Sequence, residues 1–191
     1  MTKITMAGPG AGKTQDLTNQ INARLKEGIY PFSILAITFS RRAAGVITER
    51  TRSSVEGHTF HGFANWLIRL GCSIRGKEPP EIIVDKEVDA LIKTAITDVD
   101  NGFLELEEVK HALARIRVMN VPREALRPQV VEAADRYLKL LQERNLVDFT
   151  RILELGAREL CSPRIREQVR NLYKAVYIDE GQDSAPRGVL S

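Results

Sequence analysis

The sequence predicts an α/β fold: a parallel sheet with helices on both faces, interrupted by a helical insertion. Three observations predict it. Short apolar runs alternate with amphipathic stretches over the first seventy residues, as strand–helix–strand crossovers require. A glycine-rich loop stands between the first such run and the first amphipathic stretch. Strand character then returns near residue 175, after about a hundred residues that read almost entirely as helix. The 191 residues are 43% apolar and 28% charged, a composition that supports a packed core and excludes wholesale disorder.

The elements follow in order. Residues 2–7, TKITMA, are β-prone and run into GPGAGKT. Leu17, Ile21 and Leu25 then recur at a helical interval up to Gly28. Tyr30-Pro31 breaks the chain, and residues 34–39, ILAITF, form an apolar run of the kind a strand buried on both faces shows. A small-residue helix is expected from Arg41 to Thr51, a short strand at 54–57 and a helix from His61 to Leu70. The stretch GCSIRGKEPP from Gly71 reads as a linker. Val88, Leu91, Ile92, Ala95 and Ile96 form one apolar stripe; Leu104 to Met119 and Val130 to Leu141 carry two more. Pro122 suits a helix start, and Asp148 and Ser162 suit N-caps. AVYID then reads as a strand. The expected division is 1–71, 72–172 and 173–191, the middle part being the helical insertion.

Composition removes several function classes. Cys72 and Cys161 are the two cysteines, too few and too far apart for a disulfide framework or a cysteine metal site, which fits a reducing compartment. No apolar run approaches the ~20 residues of a membrane span, and the N-terminus lacks a signal-peptide pattern. The expectation is a soluble, cytoplasmic protein with no membrane partner. The net charge is +3, but unevenly spread: residues 1–75 carry ten Lys/Arg against four Asp/Glu, and the remainder eighteen against twenty-one. The N-terminal part is therefore the expected anion-binding part.

Gly8-Pro9-Gly10-Ala11-Gly12-Lys13-Thr14 has the spacing of a phosphate-binding loop, between a strand and a helix as that motif needs. Glycines let the backbone N–H groups close around an anion, and the following helix adds its positive end. Lys13 would reach the β- and γ-phosphates, and the Thr14 hydroxyl would ligate Mg²⁺. A nucleoside triphosphate is the expected ligand, with Ala7 at the edge of the loop; the loop alone does not separate a small kinase from an ATPase or a GTPase. Near the other end, Asp179 and Glu180 close a buried strand. There Asp179 would hold Mg²⁺ and Glu180 would orient or deprotonate a water, which favours hydrolysis over transfer by a kinase.

Four blocks then carry a family resemblance. AGPGAGKT, ILAITFSRRAAGVITERT, HTFHGFANWLIR and VYIDEGQDSAP stand in the order found in superfamily 1 helicases of the UvrD/Rep type, and Leu146-Val147-Asp148-Phe149 resembles a shorter family segment. The sequence resembles that family over residues 4–186. The resemblance implies a RecA-like first motor domain holding a helical insertion, ATP and Mg²⁺ as cofactors, and single-stranded DNA as partner. It implies DNA contacts from Thr38, Phe39, Ser40 and Arg41 and from Thr59, Phe60 and His61, and nucleotide roles for residues 7–14, Asp179, Glu180 and Gln182. Arg41-Arg42, Gly62 and Gly181 depart from the family's usual Asn-Lys, Ser and aromatic residues.

Alternatives remain on the residues themselves. Phe39 ends an apolar run and could be core. Phe63, Trp66 and Leu70 read as a helix's buried face. His58 and His61 have an H-x-x-H spacing without further ligands. Arg115, Arg117 and Arg123 could extend a DNA path. The resemblance also implies later blocks and a second motor domain that this sequence does not contain, so a partner chain or missing domain is expected for unwinding. A non-enzymatic ATP- or DNA-binding remnant is the alternative function, and a small kinase a third.

Overall fold

The computed structural model describes residues 13–52, 54–100 and 103–179; for Lys13, Thr14 and Asp100 only the backbone is described. Two compact units divide the chain, one of residues 1–77 and 153–191, the other of residues 78–152.

The first unit is built on a three-stranded parallel sheet. Its strands are β1 (Ile34–Thr38), β2 (Gly57–Thr59) and β5 (Ala175–Ile178), in the order β2-β1-β5. All five residues of β1 are buried, as the uninterrupted apolar run requires of a central parallel strand. Helix α1 (Lys13–Lys26) contributes Leu17 and Ile21 to a core that includes Ile34, Ala36, Ile47, Val55 and Tyr177. Helix α2 (Arg41–Arg50) adds Ile47 to that core, and a bond from Asn22 fixes its direction relative to α1. The Asn22 side chain donates to the Arg50 carbonyl at 3.3 Å. Lys13 lies nine residues before Asn22, and Arg41 nine before Arg50, so both helices start at the same level if they run side by side.

Several boundaries differ from the sequence reading. The strand expected at 54–57 is β2 at Gly57–Thr59, because Thr51 holds the preceding turn. Its hydroxyl donates to the Ile47 carbonyl at 2.9 Å and accepts from the Val55 N–H at 3.4 Å. Helix α3 runs from Phe60 to Ile74, through the GCSI expected to be linker. Gly71 and Cys72 are buried on its inner face with Ala64, Leu67 and Ile68, and that burial outweighs the helix-weakening glycine. Phe63 and Trp66 are only half-buried; they stack at 5.5 Å and meet the Tyr173 ring edge-on.

The second unit is a helical bundle of α4 (Lys86–Asp100), α5 (Leu106–Arg117) and α6 (Pro128–Glu143). The three apolar stripes form one core around Ile92, Ala95, Val109, Ala133 and the fully buried Tyr137. Reading this region as nearly all helix misses a two-stranded parallel sheet of β3 (Glu81–Ile82) and β4 (Leu146–Val147). Two-residue strands carry too little periodicity to register in a sequence. Pro122 precedes a 3-10 turn, Arg123–Ala125, and it is Pro128 that opens the α-helix.

Helix α7 (Phe149–Cys161) starts in this unit and ends in the first; α8 (Pro163–Leu172) follows. The compact units are bounded at Glu78 and Ile152. Two contacts tie α3 to α7 inside the first unit. Arg75 forks onto Glu159, at 2.8 and 2.5 Å, and Gly156 packs so closely on Ala64 that a Cβ there would lie 2.6 Å from the Ala64 Cβ. Ser162 precedes α8 as expected, but its side chain makes no capping bond.

Candidate nucleotide and nucleic-acid site

In a parallel sheet the strand carboxyl ends and the helix starts that follow them gather on one edge, where ligands of such folds bind. β1 ends at Thr38, which is 0% exposed, with an Oγ1 that has no hydrogen-bond partner among the described residues. Burying a hydroxyl without a partner costs about 1–3 kcal/mol. β5 leads into Asp179, 2% exposed, whose backbone N–H donates to the Ile37 carbonyl at 2.9 Å. That bond continues the β1–β5 ladder and holds Asp179 beside the end of β1. A buried hydroxyl and a buried carboxylate thus share one strand edge. The donor set fits a hydrated Mg²⁺ bound to a nucleotide, which takes one or two carboxylates rather than a protein cage. Among the described residues, no group of three or more His, Cys, Asp or Glu side chains that could hold a metal ion is found.

The residues after Thr38 turn outward. Phe39 is 58% exposed, which removes the core-packing alternative for this aromatic. Ser40 is the N-cap of α2, its Oγ accepting from the Ala43 N–H at 3.1 Å. Arg41 and Arg42 follow, both exposed. The second block repeats this design. Thr59 ends β2 and caps α3 by accepting from the Gly62 N–H at 3.0 Å. The glycine that replaces serine at 62 therefore serves the cap through its backbone. Phe60 and His61 are half-buried in the first turn, and burial pushes the His61 imidazole below its ordinary pKa.

Glycine at 57 sets how closely the two blocks approach. A Cβ there would be driven into the Ala44 carbonyl, so α2 lies directly on β2. The Thr48 hydroxyl bridges them, donating to the Ala44 carbonyl at 3.2 Å and accepting from the Gly57 N–H at 3.0 Å. Beside this contact runs an open trough of about 640 Å³, lined by residues that include Arg41, Glu49, Glu56, His58 and Thr59. Sequence reasoning passed over Thr48, whose place in an amphipathic helix carries no signal.

The structure brings Thr38, Phe39, Ser40 and Arg41 together with Thr59, Phe60 and His61 at the carboxyl ends of paired strands, with Asp179 at the end of the third. Lys13 and Thr14 open α1. Ala7, Gly8, Pro9, Gly10, Ala11 and Gly12, with Glu180 and Gln182, lie outside the described residues. Arg117 does not extend an open path: it is buried in the helical unit, paired with Asp148. Arg123 is committed to Asp135 at 2.8 Å, and Arg115 is exposed.

With this arrangement in view, the comparison of sequences is decisive. The family described as UvrD/REP helicase N-terminal domain matches residues 2–188. This chain belongs to that family. Among UvrD/REP relatives, the ATP-dependent DNA helicase PcrA of Staphylococcus aureus is 25% identical over 202 residues, covering 95% of this chain and 28% of its own length. PcrA of Leuconostoc citreum is 25% identical over 205 residues, and DNA helicase II of Rickettsia typhi 27% identical over 210. The chain thus spans about 28% of the PcrA length and 31% of that DNA helicase II. Members of this family carry the RecA-like phosphate-loop fold, and the small parallel sheet flanked by helices is its framework here. None of the described helices is long and apolar enough to cross a membrane.

Proposed function

We propose that this chain is the ATP-binding portion of an ATP-dependent DNA helicase, in which residues 1–71 and 173–191 act as the first motor domain and the middle as its helical insertion. One observation carries the reading: three blocks far apart in sequence meet at the carboxyl edge of one parallel sheet, two ending in hydroxyl, aromatic and cationic side chains suited to a nucleic acid and the third in a carboxylate suited to Mg²⁺.

The roles follow from residue chemistry. Backbone N–H groups of Gly8, Gly10, Ala11 and Gly12 would cradle phosphate oxygens, and Lys13 would neutralise the β- and γ-phosphates. Thr14 and Asp179 would hold Mg²⁺. Glu180 would orient the attacking water or take its proton, with Gln182 as a further catalytic group. Bound ATP with Mg²⁺ supplies the phosphoanhydride bond whose cleavage releases free energy. Phe39 and Phe60 offer faces for bases, while Ser40, Arg41, Thr38, Thr59 and His61 hold the sugar–phosphate chain, a mode that tolerates any base sequence. The Thr38 hydroxyl, buried where both ligands would meet, supports a role in linking them. Unwinding is proposed to need a second motor domain or a partner chain.

The test is ATP binding and hydrolysis, with and without single-stranded DNA, beside a Lys13→Ala control. Nucleotide binding that Lys13→Ala abolishes, with turnover raised by DNA, is the expected result. Wild type and control failing alike to bind ATP would leave a non-enzymatic DNA-binding module.

A further inference from the structure

We propose a second contact for single-stranded nucleic acid at the opposite, amino-terminal edge of the sheet, formed by Tyr30 and Phe32 together with Lys174, Arg170 and Arg166. It rests on the reading of this family member as a nucleic-acid-binding chain, but not on its nucleotide site.

The aromatic half is built locally. Pro31 opens a one-turn 3-10 helix, Pro31–Ser33, that enters β1. The Ser33 N–H and hydroxyl both donate to the Tyr30 carbonyl, at 2.9 and 2.7 Å. The turn sets its two aromatics side by side, ring centres 5.4 Å apart and planes tilted by 47°. Tyr30 is 66% exposed and Phe32 77%, so neither ring is spent on the core. Large exposed rings offer π-faces to planar ligands.

The first cation, Lys174, lies beside it through the sheet. The Lys174 N–H donates to the Ser33 carbonyl at 2.7 Å, and Ile34 pairs with Ala175 in the next register position. Lys174 is thus held against the residue that follows Phe32. Arg170 lies in the last turn of α8, which ends two residues before Lys174, and Arg166 stands one turn earlier. All three are exposed, and none forms an ion pair among the described residues. Glu167 is the one carboxylate in α8.

Exposed rings flanked by uncommitted cations are the combination that holds single strands, by base stacking and phosphate attraction. Five strand residues at about 3.3 Å each place this edge roughly 15 Å from the Thr38 edge. One strand of sufficient length reaches both edges, so the second contact would lengthen the site.

The experiment measures binding of labelled oligo(dT) to the full chain by fluorescence anisotropy, with one oligomer of about 6 nucleotides and one of about 30. In the Tyr30→Ala/Phe32→Ala variant, affinity for the long oligomer should fall about tenfold, while the short one changes less. Lys174→Glu with Arg170→Glu should flatten the salt dependence, by about 0.7 in slope for each phosphate that is no longer neutralised. A 5-iodouracil oligomer should cross-link within the peptide that holds Tyr30 and Phe32. A Phe39→Ala/Arg41→Ala variant separates the two readings. If it abolishes binding while the Tyr30/Phe32 variant binds as wild type with no cross-link there, the second contact is overturned and the first site stands. If wild type binds no oligomer, both fall. If the variants change only self-association in sedimentation, the surface joins protein chains and the proposal is wrong.

Discussion

The helical unit carries 11 Lys/Arg against 15 Asp/Glu, a balance of −4; the sheet unit carries 17 against 10, a balance of +7. They also treat their cations differently. In the helical unit Lys110, Arg117, Arg123, Arg127, Arg136 and Lys139 all meet carboxylates. In the sheet unit, Arg24 and Arg75 are the ion-paired cations among the described residues, while Arg41, Arg42, Arg166, Arg170 and Lys174 face solvent. Exposed pairs contribute only about 0–1 kcal/mol each, so their absence costs the sheet unit little stability. What it retains is positive charge for a ligand. The helical unit, by contrast, commits these six of its eleven cations to carboxylates and encloses a polar network.

That network joins three helices. Arg117 at the end of α5 forks onto Asp148, at 2.7 and 3.1 Å, and both side chains are 9% exposed. The Tyr137 hydroxyl of α6 donates to Asp148 at 2.8 Å, and the Arg151 N–H of α7 does so at 2.7 Å. Asp148 therefore caps α7 while closing the bundle. Burial alone would raise its carboxyl, but the Arg117 fork, the Arg151 N–H and the Tyr137 hydroxyl together hold it below the ordinary carboxylate range. Burial, and then the Asp148 charge, push the Tyr137 hydroxyl up.

The largest break in the comparison should come from Arg117→Ala. Removing one partner of a buried pair leaves an uncompensated charge and costs about 3–5 kcal/mol. Trp66, the single tryptophan, lies in the sheet unit, so its fluorescence reports there while far-UV circular dichroism reports on both units. The urea midpoint by dichroism should fall further than that by fluorescence. Equal shifts would mean that the units unfold as one and that the contrast between them has no energetic meaning.

Gly57→Ala should act the other way. Its Cβ has no room against the Ala44 carbonyl, and overpacking of this kind costs about 1–3 kcal/mol. Trp66 fluorescence should register the loss, and single-strand affinity should drop with it because the two blocks are forced apart. An unchanged melt with unchanged affinity would show that the α2–β2 contact is not tight.

The smallest effect sharpens the network through pH. A carboxyl whose folded pKa is depressed contributes stability above its unfolded value, near 3.9, and loses it as pH falls through the folded value. The helical unit should therefore lose part of its stability below about pH 4, and Asp148→Asn should remove that part of the acid dependence. An acid limb identical in Asp148→Asn and wild type would assign the titration to other carboxylates.

Much of this protein was determined by its sequence alone. The buried run of β1, the cap at Asp148, the three apolar stripes and the return to strand at 175 are local signals, because periodicity and capping depend on near neighbours. The family blocks are legible for the same reason: each is contiguous. The structure alone decided what depends on partners distant in sequence. β3 and β4 form by pairing across 65 residues, and α3 continues through Gly71 because Glu159 and α7 lie against it. Arg117 and Arg41 look alike in the sequence, yet one is buried against a carboxylate 31 residues away and the other is left exposed. Charge is written in the sequence, but its neutralisation is set by the fold, since an ion pair requires two side chains that only packing brings within reach.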